Sequence, residues 1–176
     1  TPVGVSGMNG AVAVAAGLYT GYAMRNDGTA WAWGYNVYGG LGDGTTTSRT
    51  TPVQVRNLTG VIAVAAGSFT GYALRSDGTV WAWGDGSHGA LGNGATADST
   101  TPVQVRNLSR ITAIAGQGGG GYALRSDGTV WAWGNNASGQ LGNGTTTDAT
   151  TPVQVSGLTA VKAIASASGA QMAYAL

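Results

Sequence analysis

The chain has 176 residues, a formal net charge of +1 and 9% charged residues, with 32 Gly, six Trp, seven Tyr, one Lys and neither Cys nor Glu. Near-absence of the surface-helix formers Glu and Lys excludes a helical protein, and 43% hydrophobic content excludes disorder. No apolar run reaches the ~18 residues of a membrane helix, absent Cys removes disulfides and thiolate metal sites, and without clustered Lys/Arg there is no nucleic-acid footprint.

The segment Thr1-Pro2-Val3-Gly4-Val5 returns at Thr51, Thr101 and Thr151, giving a period of 50. Between the second and third copies 32 of 50 positions are identical, so the divergent positions stand out. We read one repeat domain over 1–176, with copies at 1–50, 51–100 and 101–150 and a partial copy at 151–176.

The second copy serves as the template. Its first predicted strand is Pro52 to Val55, with Pro at the start, where a missing N–H is tolerated. Val61 to Ala66 follows, then Tyr72 to Arg75, then Thr79 to Trp83. Between the last two, Asp77-Gly78 predicts a tight primed hairpin turn, repeated at Asp27-Gly28 and Asp127-Gly128. A Gly-rich connection from Gly84 to Thr100 completes the copy.

In Val80-Trp81-Ala82-Trp83 both faces of the strand are apolar, so the sheet lies between neighbouring sheets. Ala recurs at 13, 63, 113 and 163 and at 15, 65, 115 and 165, which suits a crowded centre where strands converge. The fold class is therefore all-β, with propeller-type blades of four antiparallel strands in about three and a half repeats.

The residues Asp77-Gly78-Thr79-Val80-Trp81-Ala82-Trp83-Gly84 and Gly89-Ala90-Leu91-Gly92, with Asp127 to Asn136 and Gly139-Gln140-Leu141-Gly142, resemble the repeats of the regulator of chromosome condensation family, bacterial members most. The resemblance covers the whole chain. It implies a β-propeller, usually seven-bladed, in a family of exchange factors, chromatin binders, photoreceptors and bacterial enzyme inhibitors. What it implies in common is a ring that binds macromolecules. Family repeats often carry a His before the third strand; here the matching positions are Thr20, Thr70 and Gly120, and His88 is the only His.

Propellers need at least about four blades, so this length does not close a seven-bladed ring. Three arrangements remain: chains that assemble, a part of a longer chain, or an open arc. Exposed blade faces favour a homo-oligomer, either ring or head-to-tail. Divergence from Ser166 to Gln171 marks an expected chain-end contact.

Among candidate sites, Trp31, Trp33, Trp81, Trp83, Trp131 and Trp133 recur at fixed positions and read as blade core. Arg25, Arg75 and Arg125 are placed to pair with Asp27, Asp77 and Asp127. The Asp-Gly-Thr turns hold one carboxylate each, too few for calcium. Leu41-Gly42-Asp43-Gly44 lacks the helix and Lys of a phosphate loop. Asn57, Asn107, Asn136 and Asn143 head glycosylation sequons of the kind that arise by chance. The loops around 17–20 and 35–38 and their copies diverge most; Tyr19, Tyr38, Phe69 and His88 are the candidate protein-binding residues. With one His, no Cys and no paired acids, the expected function is a non-enzymatic, cofactor-free assembly scaffold. The alternatives are a secreted protein-binding module, such as an enzyme inhibitor, and a fragment of a longer propeller. Protein is the expected partner, without nucleic acid or membrane insertion. Composition suits an extracellular or cell-surface setting, with the cytoplasm also open.

Overall fold

Each Asp-Gly pair turns a hairpin, but the turn is wider than the two-residue primed type. In the computed structural model, which describes residues 1–167 and 173–176, only the glycines take positive φ: Gly28 at 76°, Gly78 at 77° and Gly128 at 80°. Arg25 N–H donates to Thr29 O and Gly28 N–H to Arg25 O, both at 3.0 Å. That pattern is a type I turn closed by a left-handed Gly bulge, a three-residue loop. The Asp serves as an acceptor: Asp27 Oδ1 takes the Thr29 N–H and hydroxyl at 3.0 and 2.6 Å, as Asp77 and Asp127 do from Thr79 and Thr129.

These hairpins are the centres of three four-stranded antiparallel sheets. The first holds β1 (Ala11–Ala16), β2 (Thr20–Arg25), β3 (Ala30–Gly34) and β4 (Arg49–Gln54). The second holds β5 (Val61–Ala66), β6 (Thr70–Arg75), β7 (Val80–Gly84) and β8 (Ser99–Gln104). The third holds β9 (Ile111–Gln117), β10 (Gly120–Arg125), β11 (Val130–Gly134) and β12 (Ala149–Gln154), and β13 (Ile164–Ser166) pairs with β14 (Ala173–Ala175).

The phase of the repeat differs from the expected one. The Thr-Pro-Val-Gln segment does not begin a blade; it is the outer strand of the preceding one, with Trp31 opposite Gln54, Trp81 opposite Gln104 and Trp131 opposite Gln154. The partial copy accordingly adds two described strands rather than three. Most of the irregular segment between Ser166 and Met172 lies outside the described residues.

Blades stack through their faces, with β1, β5, β9 and β13 adjacent along the inner wall. Small Ala residues on these strands permit that approach. Trp83 is fully buried against Leu41 and Val55 of the first blade. Its indole N–H donates to Gly40 O at 2.9 Å, the carbonyl that also accepts the Tyr22 hydroxyl at 2.7 Å. One blade later Trp133 and Tyr72 share Ala90 O in the same way. Gly71 is obligatory opposite Trp83, because a methyl there would overlap the indole ring. Burial pushes the phenols of Tyr22 and Tyr72 far up, and that of Tyr122 to about 12.

Only two of the six Trp are fully buried. Trp83 and Trp133 are buried, while Trp33, on the face of the first blade, is half-buried. Trp31, Trp81 and Trp131 are also half-buried. Their N–H groups donate to the Thr hydroxyls of the hairpins, and the guanidiniums of Arg25, Arg75 and Arg125 lie 4.0, 6.0 and 4.5 Å from their rings. The expected Arg–Asp pair forms at Arg75–Asp77 (3.1 Å) and loosely at Arg125–Asp127 (3.9 Å). Arg25 instead donates to Gly7 O at 2.8 Å.

Candidate interaction surface

The three β3–β4-type connections, 35–48, 85–98 and 135–148, leave the sheets at the same end as the turns 17–19, 67–69 and 118–119. Their order comes from a buried polar hub. Asn36 Oδ1 accepts the Leu41 N–H at 2.8 Å, while its amide donates to Thr45 O (3.0 Å) and Thr47 O (3.1 Å). Asn136 repeats this with Leu141, Thr145 and Thr147. Asp43 joins the first hub beside Asn36 and pairs with Arg49 at 3.3 Å. Burial works to raise its pKa, but hydrogen bonds from Thr45, Arg49 and Asn36 outweigh it and hold the carboxyl below its usual range. In the second blade the hub residue is Gly86, and Asp98 Oδ1 takes its N–H at 2.9 Å.

On this rigid base four aromatic rings converge at the junction of the first two blades. Phe69 lies 5.2 Å from Tyr38, 5.9 Å from Tyr35 and 6.2 Å from Tyr19. Tyr35 stands edge-on to Tyr19 at 6.1 Å and to Tyr38 at 6.3 Å. The cluster is open to water: Tyr19 is 64% exposed, Tyr35 and Tyr38 37% each, with Leu18 and Val37 exposed beside them. Three of the four candidate residues therefore meet in one patch. Tyr35 joins them, and the divergence of its loop between copies was the available signal.

His88 stands apart from the rings. It takes φ 56° in a short 3₁₀ turn, Ser87–Gly89, and its Nδ1 lies 2.7 Å from Asp148 Oδ2 of the next blade. The Asn136 N–H, and then His88, lower the Asp148 pKa. Phe69 connects the two places, because it lines a groove with Ser68, Asp85, His88, Gly118 and Asn135. Among the described residues no group of three His, Cys, Asp or Glu could hold a metal, and no helix is long and apolar enough to cross a membrane.

The model of the regulator of chromosome condensation (RCC1) repeat matches residues 27–74, 77–121 and 127–176, and a second model of the same repeat matches 11–39 and 61–90. The chain belongs to the RCC1 repeat family. Comparison with curated protein sequences gives no match. Solved structures share the RCC1 fold. Human WBSCR16 is 22% identical with a TM-score of 0.80, over 92% of this chain and 44% of its own. Prp20p from Saccharomyces cerevisiae, described with its binding to Gsp1p and histones, is 19% identical with a TM-score of 0.80, over 93% and 43%. Yeast RCC1 (Prp20) bound by Kap60 is 18% identical with a TM-score of 0.80, over 93% and 41%. This RCC1-repeat chain spans less than half the length of those solved relatives.

Proposed function

We propose that this chain is a non-enzymatic interaction scaffold that docks protein on the loop-bearing end of its RCC1 blades, through Tyr19, Tyr35, Tyr38 and Phe69. The carrying observation is three exposed tyrosine rings packed on half-buried Phe69, beside a loop fixed by the buried Asn36 hub. Rigid aromatics bring large contact area at low entropy cost and anchor interfaces. The protein partners named for the yeast relatives support the general reading. The test is capture of partners by the wild type and by Tyr19→Ser/Tyr38→Ser. Partners retained by the folded double variant would overturn the assignment.

A further part of the proposal is that the blades continue into a ring by self-association. Its support is at the third blade, where a cavity of about 200 Å³ lies between Tyr122, Val155 and Tyr174. It corresponds to the seats that Trp83 and Trp133 fill on the earlier blades. Ala173 stands in register where Gly71 and Gly121 stand in the earlier blades. Light scattering on the eluting protein is the measurement. A stable monomer near 17.4 kDa would sink self-association and leave the docking surface untouched.

A further inference from the structure

We propose that the loop end recognises a cationic protein segment: an extended stretch that sets an apolar side chain on the Tyr19/Tyr35/Tyr38/Phe69 cluster and a neighbouring Lys or Arg in the groove beside Asp85. The inference rests on the docking reading above and adds the chemistry of the partner.

The argument begins with charge placement. A net charge of +1 conceals two unlike ends. The loop end holds Asp43, Asp85, Asp98 and Asp148, against Arg49 and His88. The hairpin end holds Arg25, Arg75, Arg110, Arg125 and Lys162, with Asp27, Asp77 and Asp127. Arg56 and Arg106 bring their guanidiniums against Gly44 and Gly94 of the connections 35–48 and 85–98. At the loop end Asp43 is matched by Arg49 and Asp148 by His88. Asp85 and Asp98 have no cation within 4 Å among the described residues; they accept the N–H groups of Ser87 and Gly86.

Asp85 is also tied to the aromatic patch. Its N–H donates to Phe69 O at 3.3 Å, and both side chains line the one groove. A ligand anchored on Phe69 must therefore pass the Asp85 carboxylate. Covering a half-buried carboxylate without a cation forfeits its hydration and gains nothing in return. An acidic segment meets direct repulsion. A Lys or Arg supplies the missing charge, and the tyrosine faces add cation–π attraction. Anchor and charge together define an amphipathic, basic strand, and Gly118 and Gly119 in the groove wall carry no side chain to hold it off the backbone.

The experiment uses displayed random peptides of about a dozen residues selected on the purified protein, followed by titration of the synthesised winners. Winners are expected to carry Lys or Arg within a few positions of an aromatic or branched residue. Tyr38→Ser should weaken them by about 10-fold or more and Asp85→Asn by about 3- to 10-fold, with the Asp85 increment shrinking at high salt. Asp85→Lys should shift selection towards acidic peptides. Neutral or acidic winners that still depend on Tyr38 would overturn the cationic chemistry and leave the docking surface standing. Winners indifferent to Tyr38→Ser, or an empty selection, would overturn both.

Discussion

At the hairpin end the three blades are copies of one another; at the loop end they are three different objects. Every hairpin has the same Asp–Thr–Trp hydrogen-bond chain under an Arg. Across the molecule, the first loop presents tyrosines, the second His88 and Asp85, the third Asn135 and Ser138. The hairpin interactions are local, closing within five residues, so each blade must repeat them to form. A loop side chain beyond the Asn hub supports nothing beneath it and is free to differ. Chemistry shared by all blades thus marks the frame, and chemistry held by one blade marks the surface that touches something else.

Breaking the frame carries the largest expected effect. Trp83→Ala empties the junction of the first two blades and should cost about 3–5 kcal/mol, read as a drop in the denaturation midpoint. Trp33→Ala, at a half-buried copy of the same position, should cost clearly less. An equal loss would mean that stability does not come from blade stacking. Next in size is the loop hub. Asn36→Ala or Asn136→Ala leaves the Leu41 or Leu141 N–H and two carbonyls without their partner, a loss of about 1–3 kcal/mol. The reverse graft, Gly86→Asn, should destabilise too, because its side chain would run into the Ala97 carbonyl.

Smaller effects sharpen the contrast. Gly78→Ala places a side chain at positive φ and should cost about 1 kcal/mol, with ligand binding unchanged. Asp43→Asn tests a carboxylate whose equivalents in the other copies are Asn93 and Asn143. Its folded pKa lies below the unfolded value of about 3.9, so its contribution is complete above about pH 5 and lost as pH falls through the folded pKa. Melting from pH 7 down to 3 should show the wild-type advantage, of about 1 kcal/mol or less, shrink as the pH falls. The third blade already uses Asn143 there. Last, Tyr38→Ser should leave stability within about 0.5 kcal/mol while removing binding.

Strands and hairpins were legible in the sequence, because Asp-Gly between apolar runs is a local signal. The phase was not. A periodic sequence marks no origin, and only five residues separate Val55 from Gly60's neighbour Val61, whereas fourteen separate Gly34 from Arg49. Sequence proximity therefore favoured the wrong partner for the Thr-Pro-Val-Gln strand. The ladder between Trp31 and Gln54 decides it. Tyr19, Tyr38 and Phe69 were legible through divergence between copies. That they touch was not, since Phe69 comes from a different repeat. The Asn hubs were missed, although Asn36 with Asp43 and Asn136 with Asn143 share a seven-residue spacing.

The displaced phase has a mechanical consequence. Because each outer strand is supplied by the following repeat, every covalent unit is hydrogen-bonded into the sheet before it, as roof tiles overlap along a slope. An internal blade cannot peel away without tearing the edge from its predecessor. Opening an internal blade must break two sheets at once, so amide exchange should be slowest in β6 and β7 of the middle blade. A cut at Thr51 or Thr101 strips a finished sheet of its fourth strand, whereas a cut between Asn57 and Gly60 or between Asn107 and Arg110 leaves whole blades on either side.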